Sequence, residues 1–214
     1  MFLGIDLTAT AQKPSACVCL NTALDVVYCK LLSTDDALVD GINQNSPEIV
    51  AIDAPLSLPS GFCCLNEDCM CHLQSDEKGR LSERELARSG IPCYFTTKKS
   101  IIKKMVERAI NLKHELEGLG YTVIEVYPYA SKVRLFGTPV PRKTTAEGLA
   151  WLRNRMKSLI KCPEITIWSH DLCDAAVAAY TGYLYVTGDV DMVGDEGEGL
   201  IYIPISNSGR KEVY

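Results

Sequence analysis

The sequence lacks a long hydrophobic run, an excess of positive charge, an internal repeat and a low-complexity tract. Its longest apolar runs are far shorter than the roughly 20 residues that a helix needs to cross a bilayer. No basic-plus-apolar leader precedes the opening segment MFLGIDLT. We therefore expect a soluble, unexported, cytoplasmic protein.

Positive charge is too scarce to attract nucleic acid to the molecule as a whole. The chain has 22 Lys and Arg against 27 Asp and Glu, which gives a formal net charge of -5 at pH 7. Nucleic acid is therefore a possible partner only through a local basic patch. The candidate patches are Lys98, Lys99, Lys103 and Lys104, and Arg142, Lys143, Arg153 and Arg155. A solvated helix face explains each group equally well.

Cysteine, by contrast, is abundant, with 10 in 214 residues. Cys63, Cys64, Cys69 and Cys71 fall in an irregular stretch rich in turn residues. Cys64 and Cys69 have finger-like spacing, whereas Cys69 and Cys71 are closer than a usual zinc knuckle allows. A structural metal such as zinc, a disulfide clip and free thiols are all compatible with this pattern.

The length and the hydrophobic content of 47% predict one domain over residues 1–214. Within it, the Cys-rich stretch around 55–80 shows no helical or strand periodicity, and we interpret it as a loop insert. Loops of this length are usually functional, clipped by a metal or mobile.

The order of apolar segments indicates an α/β fold. The segments FLGID, ACVCL and VVYCKLL predict three antiparallel strands, and EIVAID and YTVIEVY predict buried parallel strands. Helices are predicted at 34–43, 82–90, 98–118, 131–136, 145–161 and 171–186, with Ser82 as the cap of the second. The acidic segment 188–199 is predicted to be a solvated loop, and LIYIPI an edge strand because Pro204 interrupts the ladder.

Acidic side chains stand at the ends of several of these apolar elements. Asp6, Asp53 and Glu125 lie at or near strand ends, and Asp171 and Asp174 lie on the last helix. Buried acids without partners are costly, so we expect these side chains to share one pocket. The alternatives are acids bonded to neighbouring backbone and, for Asp171, a helix cap.

Taken in order, these elements resemble the ribonuclease H-like fold. Six segments are similar to the predicted-nuclease family known as domain of unknown function 429: GIDLT, AIDAPLSLP, RLSERELARSGI, VIEVYP, PRKTTAEGLAWLR and HDLCDAAVAAYTGYL. The resemblance spans roughly residues 1–187. It implies a mixed sheet of three antiparallel strands plus parallel strands, flanked by helices.

The resemblance also implies roles for individual acids. Asp6 would bridge the metal ions, Asp53 would be the second ligand and Asp174 the ligand from the helix. Asp171 would join Asp174 or cap the helix, and Glu125 would be a further ligand or position a water.

The same resemblance implies substrate-binding roles for three basic side chains. Lys143 would meet a substrate phosphate, and Arg84 and Arg88 would clamp an anion, with surface exposure and helix-face salt bridges as the alternatives. Independently of the resemblance, His170 adjoins Asp171, which suggests that it assists proton transfer, with a structural role as the alternative.

The resulting hypothesis is a nuclease that depends on Mg²⁺ or Mn²⁺. Crowded carboxylates repel one another, and a hard divalent cation relieves the repulsion while supporting phosphodiester hydrolysis. The alternatives are a small-molecule phosphotransfer enzyme, for which the chain lacks a Gly-rich phosphate loop, and a non-catalytic binding protein that retains the fold.

Overall fold

The structure is a computed structural model, and it describes residues 1–10 and 12–206. Seven strands form one sheet in these residues: β1 (Phe2–Asp6), β2 (Ser15–Leu20), β3 (Val26–Leu32), β4 (Ile49–Asp53), β5 (Thr122–Val126), β6 (Val190–Asp195) and β7 (Gly199–Pro204). Six α-helices accompany them: α1 (Asp35–Asn45), α2 (Leu81–Arg88), α3 (Lys103–Gly118), α4 (Pro128–Phe136), α5 (Ala146–Met156) and α6 (His170–Thr187). A short 3-10 helix spans Pro163–Ile167.

The strand order across the sheet is β3-β2-β1-β4-β5-β7-β6. β1, β2 and β3 are antiparallel neighbours, and β4 and β5 continue the sheet parallel to β1. This arrangement confirms the predicted α/β fold class, a mixed sheet of three antiparallel strands plus parallel strands that is flanked by helices. It brings the carboxyl ends of β1 and β4 side by side.

The two faces of the sheet bury different helices because side chains alternate along each strand. Leu3, Ile5, Val50 and Ile52 face α1 and α3 and form one apolar cluster with them. Phe2, Ala16 and Val18 belong to a second cluster that contains α5 and α6. Residues of even number in β1 therefore lie on the α6 face, and these include Asp6.

Gly4 allows α6 to approach the sheet closely. A Cβ atom at Gly4 would lie 2.0 Å from the Ala175 carbonyl oxygen and 2.2 Å from the Ala179 nitrogen. The backbone of α6 thus occupies the space that a side chain on β1 would need. This contact fixes the depth at which α6 lies over the end of β1.

Two predictions about the end of the sheet were wrong. The segment predicted as a solvated acidic loop contains β6, which pairs antiparallel with β7. β7 is therefore an inner strand, bonded to β5 and β6, and β6 is the edge strand. Pro204 fits there because it is the last residue of β7.

Several helix bounds also differ from the prediction: α4 begins three residues earlier, at Pro128, and α5 ends five residues earlier, at Met156. α2 begins at Leu81, and the Glu83 side chain accepts a hydrogen bond from the Arg80 backbone nitrogen, so Ser82 lies inside the helix. α3 begins at Lys103, because residues 98–102 form turns instead. No helix in the described part of the chain is both long enough and apolar enough to traverse a lipid bilayer.

Candidate functional site

Asp6 and Asp53 are direct neighbours at the carboxyl ends of two parallel strands. The register of β1 and β4 pairs Asp6 with Asp53, and both side chains project from the α6 face. Parallel strands lie about 4.8 Å apart, so the two carboxylates emerge within one strand spacing of each other. The apolar runs that precede them bury both strands up to this point.

Asp174 reaches the same region from α6. Its residue is 3% exposed, and its two carboxylate oxygens accept hydrogen bonds from two lysines. The Lys132 Nζ donates to Oδ1 at 2.8 Å, and the Lys143 Nζ donates to Oδ2 at 2.7 Å. Lys132 is itself buried on α4, so this ion pair is largely removed from water.

The Lys143 ammonium lies among three carboxylates. Besides Asp174, its Nζ is 3.8 Å from Asp6 Oδ2 and 3.5 Å from Asp171 Oδ1. Asp171 also pairs with Lys13 at 3.0 Å. Ser169, not Asp171, caps α6, because its side chain accepts from the Leu172 nitrogen. Four of the acids singled out in the sequence, Asp6, Asp53, Asp171 and Asp174, are therefore gathered at one place.

Burial raises the pKa of the acids that lack a close basic partner. Burial, partly offset by Lys143, raises the pKa of Asp6 to about 7, and the nearby Asp174 and Asp171 contribute. Burial, followed by the charges of Asp6 and Asp174, also raises the pKa of Asp53 well above its ordinary value. Although burial opposes it, the Lys13 and Lys143 ammonium groups hold the pKa of Asp171 below its ordinary value.

The carboxylates around Lys143 favour its charged form and so affect its pKa. Burial lowers its pKa, but the carboxylates of Asp174 and Asp6 outweigh burial and raise it above the ordinary value. The side chain is nevertheless 49% exposed, so it can leave the carboxylates without an opening of the core.

The acids open into a cavity of about 610 Å³. Its walls include Asp6, Asp53, Asp174, Lys132, Lys143 and His170, together with Tyr94, Tyr127, Tyr129 and Arg142. The cavity thus combines acidic, basic and aromatic groups.

His170 stands in the cavity wall with both ring nitrogens buried and without a hydrogen-bond partner. It precedes Asp174 by four residues on α6, which places both on one face of the helix. Burial is the largest influence on His170 and lowers its pKa. The ring is therefore neutral near pH 7 and has a free acceptor nitrogen.

Glu125 does not join this cluster, which corrects the expectation that it would be a further ligand or position a water. In the sheet Glu125 aligns with Ile52, not with Asp53, so it projects from the opposite face. There it forms two hydrogen bonds to the buried Arg80, of 2.6 and 2.7 Å, and accepts from the Leu56 nitrogen. Arg80 also binds Glu83, and this buried network escaped the sequence interpretation.

Arg84 and Arg88 are also apart from the acids. Arg84 donates to the Gly79 carbonyl and pairs with Glu77, and Arg88 pairs with Glu77 as well. Neither residue lines the cavity. They tie α2 to the irregular loop, so the expected anion clamp is not present at the acids.

A family model described as "Protein of unknown function (DUF429)" matches residues 4–198. The chain belongs to this family. No curated relative matches the chain.

Among solved structures, two of Thermus thermophilus RuvC are similar to this DUF429 member. The RuvC structure is 16% identical, with 87% of this chain and 95% of that chain covered and a TM-score of 0.45. The structure of RuvC in complex with a Holliday junction substrate is 13% identical. The match covers 88% of this chain and 97% of that chain, with a TM-score of 0.49.

The sequence resemblance implies a divalent cation, and the side chains at this site fit one. The ammonium of Lys143 lies among three carboxylates, so the acids here accept a shared cation. Carboxylate oxygens are also the ligands that Mg²⁺ and Mn²⁺ prefer. Lys143 must leave before a metal ion can take this place.

A second group of potential ligands lies in the irregular loop. The sulfur atoms of Cys63, Cys64, Cys69 and Cys71 all lie within 4.8 Å of one another. Within residues 1–10 and 12–206, no other group of three or more Cys, His, Asp or Glu side chains converges this tightly. These four thiols could hold a metal ion.

Proposed function

We propose that this protein is a divalent-metal-dependent phosphodiester hydrolase in which Asp6, Asp53 and Asp174 hold Mg²⁺ or Mn²⁺. The observation that carries the proposal is the convergence of acids from β1, β4 and α6 in the wall of one cavity, where Asp53 neighbours Asp6 and the Lys143 ammonium pairs with Asp6 and Asp174. Raised pKa values at Asp6 and Asp53 support it, because a cation relieves the burial and mutual repulsion that raise them.

The metal would supply an activated water and would stabilise the charge that develops on the phosphate. The chain's own groups complete the site. The Lys143 ammonium, whose side chain is 49% exposed, would pair with a substrate phosphate. Lys132 stays with Asp174 and keeps this carboxylate oriented.

His170 is our candidate for proton transfer. His170 lines the cavity, and its neutral ring has an acceptor nitrogen with no hydrogen-bond partner within the described residues. Histidine is the side chain most often used to accept or donate a proton in hydrolysis near neutral pH. We therefore assign it the role of accepting a proton at one ring nitrogen.

The cavity walls favour nucleic acid as the substrate class. Tyr94, Tyr127 and Tyr129 offer rings on which bases stack, and Tyr94 is 63% exposed. Arg142 and Lys143 at the same cavity supply local positive charge, which the chain as a whole lacks.

Cleavage assays test this proposal. Labelled single-stranded, duplex and branched DNA and RNA are incubated with the protein in Mn²⁺ or Mg²⁺, beside Asp53→Asn and a control, Asp36→Asn, on the exposed side of α1. We expect cleavage by the wild type and the control and a loss of at least about a hundredfold in Asp53→Asn. No cleavage of any substrate, or equal cleavage by Asp53→Asn, would count against the proposal.

A small-molecule phosphate ester is the second candidate substrate. The cavity of about 610 Å³ falls in the range typical of small-ligand pockets. Thermal shifts with a panel of nucleotides and sugar phosphates separate the two classes. Stabilisation by a mononucleotide without cleavage of polymers would favour this alternative.

A further inference from the structure

The loop between β4 and α2 is held together without regular secondary structure. Leu65 is fully buried, but most neighbouring side chains in this loop are exposed. The Gln74 nitrogen donates to the Ser60 carbonyl at 3.0 Å, which closes residues 60–74 into a compact unit. One buried leucine is too little apolar surface to stabilise such a unit by itself.

The four sulfur atoms of this unit lie close enough to one another to bind a single metal ion. The Cys63 and Cys69 sulfurs are 3.6 Å apart, and all pairs lie within 4.8 Å. Four sulfurs at about 2.3 Å from a zinc ion are separated by roughly 3.8 Å from one another. A disulfide brings two sulfurs to about 2.05 Å and needs no convergence of all four. All four cysteines are free thiols in this structure.

A basic side chain lies where such a site would need one. Four thiolates around Zn²⁺ leave roughly two negative charges. The Lys98 Nζ donates to the carbonyl oxygens of Cys69 and Cys71 and lies 5.3 Å from the centre of the Phe62 ring. Its ammonium is thus held beside two of the four ligands, where it offsets their charge.

Lys98 also links this unit to the acidic cavity. Residues 98–102 form turns immediately before α3, and Tyr94 and Ile102, on either side of Lys98, line the cavity wall. Whatever fixes the carbonyls of Cys69 and Cys71 therefore fixes the segment that carries part of this wall.

We propose that Cys63, Cys64, Cys69 and Cys71 bind one Zn²⁺ ion and that this ion, through Lys98, holds the Tyr94–Ile102 wall of the cavity in place. The zinc site is structural, because four protein thiolates leave no open coordination position. Its chemistry is separate from that of the acids, which are hard oxygen ligands.

Metal analysis of the purified full chain tests the zinc site. We expect about one zinc per chain in the wild type and in the control Cys162→Ser, and at least about a tenfold lower content in Cys64→Ser and Cys71→Ser. Co²⁺ exchanged into the site should give the charge-transfer and visible bands of tetrahedral thiolate coordination. A zinc-free chain, with four thiols open to alkylation or with two disulfides, would overturn the proposal, and this readout does not require the variants to fold.

Hydrogen exchange tests the link to the cavity. Removal of zinc from the wild type should increase exchange in residues 94–102, and Lys98→Met should do the same while it retains zinc. The control Asp36→Asn, exposed on α1 and outside both sites, should retain zinc and leave exchange in 94–102 unchanged. If exchange in 94–102 does not respond to zinc removal, the link between the zinc site and the cavity wall is wrong.

Discussion

At the scale of single residues, the site is defined by acids that differ in how their charge is balanced. Asp174 is buried and bound by Lys132 and Lys143, whereas Asp6 has only a distant contact with Lys143 at 3.8 Å. Asp6 therefore carries the larger electrostatic cost when the site has no divalent ion.

Asp6→Asn should stabilise the fold at alkaline pH in buffer free of Mg²⁺ and Mn²⁺. The pKa of Asp6 is about 7 in the folded chain against an ordinary value of 3.8, so the folded state holds the proton more tightly. Stability from this group is therefore fully present below about pH 4 and is lost as the pH rises towards 7. The gain in unfolding free energy from Asp6→Asn should be roughly 2 to 3 kcal/mol larger at pH 8 than at pH 5.

Denaturant unfolding at the two pH values measures this difference, with Asp36→Asn as the exposed control. An equal effect of Asp6→Asn at pH 5 and pH 8 would show that the Asp6 carboxylate is not destabilised by its surroundings.

The two lysines that bind Asp174 should respond differently to replacement by Met. Lys132 is buried with its partner, so Lys132→Met leaves a buried carboxylate short of a partner and should cost roughly 3 kcal/mol of unfolding free energy. Lys143 is half exposed, so Lys143→Met should cost less than about 1 kcal/mol. Lys143→Met should also bind Mn²⁺ more tightly, because no ammonium competes for the acids.

Unfolding curves and Mn²⁺ titrations of both variants provide the measurement. Weaker Mn²⁺ binding by Lys143→Met would contradict the view that this ammonium occupies the cation's place.

At the scale of elements, the site depends on how closely α6 lies on β1. Gly4→Ala should push α6 from the sheet, because the new Cβ would meet the backbone of Ala175 and Ala179. We expect a loss of roughly 3 kcal/mol in stability, together with weaker Mn²⁺ binding as Asp174 moves away from Asp6. Gly118→Ala at the end of α3 is the matched control, since its Cβ would meet nothing within 4 Å. Full stability in Gly4→Ala would refute the argument.

The register of β5 separates Glu125 from the acids that it was expected to join. Glu125→Gln should lower the unfolding free energy by roughly 3 kcal/mol, because it breaks a buried ion pair with Arg80. Mn²⁺ binding at a temperature where the variant is folded should be unchanged. Thermal unfolding and titration check both expectations, and a loss of Mn²⁺ affinity would return Glu125 to the site.

At the scale of the whole molecule, the sequence contained enough information for most of the sheet. Continuous apolar runs and their order predicted the first five strands, and acids at the ends of β1 and β4 predicted that Asp6 and Asp53 would meet. Glu125 stands one position short of the end of β5, and this single-residue offset puts it on the other face. The sequence shows that Glu125 lies near the end of a strand, but it does not fix the last residue of that strand or the face from which the side chain projects.

Other features depended on contacts that are distant in the chain. Arg80 and Glu125 are 45 residues apart, and their pairing cannot be predicted from local pattern. The sequence of β6 does not predict a strand, because it contains Asp and Gly residues, which are scarce in strands. Its pairing with β7 is seen only in the structure. Lys143 matched a family segment, but nothing in the sequence indicated that it would lie among three carboxylates.

Calorimetric titration with Mn²⁺ tests the central claim most directly, because it asks whether the acids from β1, β4 and α6 hold a common metal ion. We predict binding by the wild type and by Asp36→Asn, and at least about a tenfold loss of affinity in Asp6→Asn, Asp53→Asn and Asp174→Asn. No binding by the wild type, or unchanged affinity in all three site variants, would contradict the account.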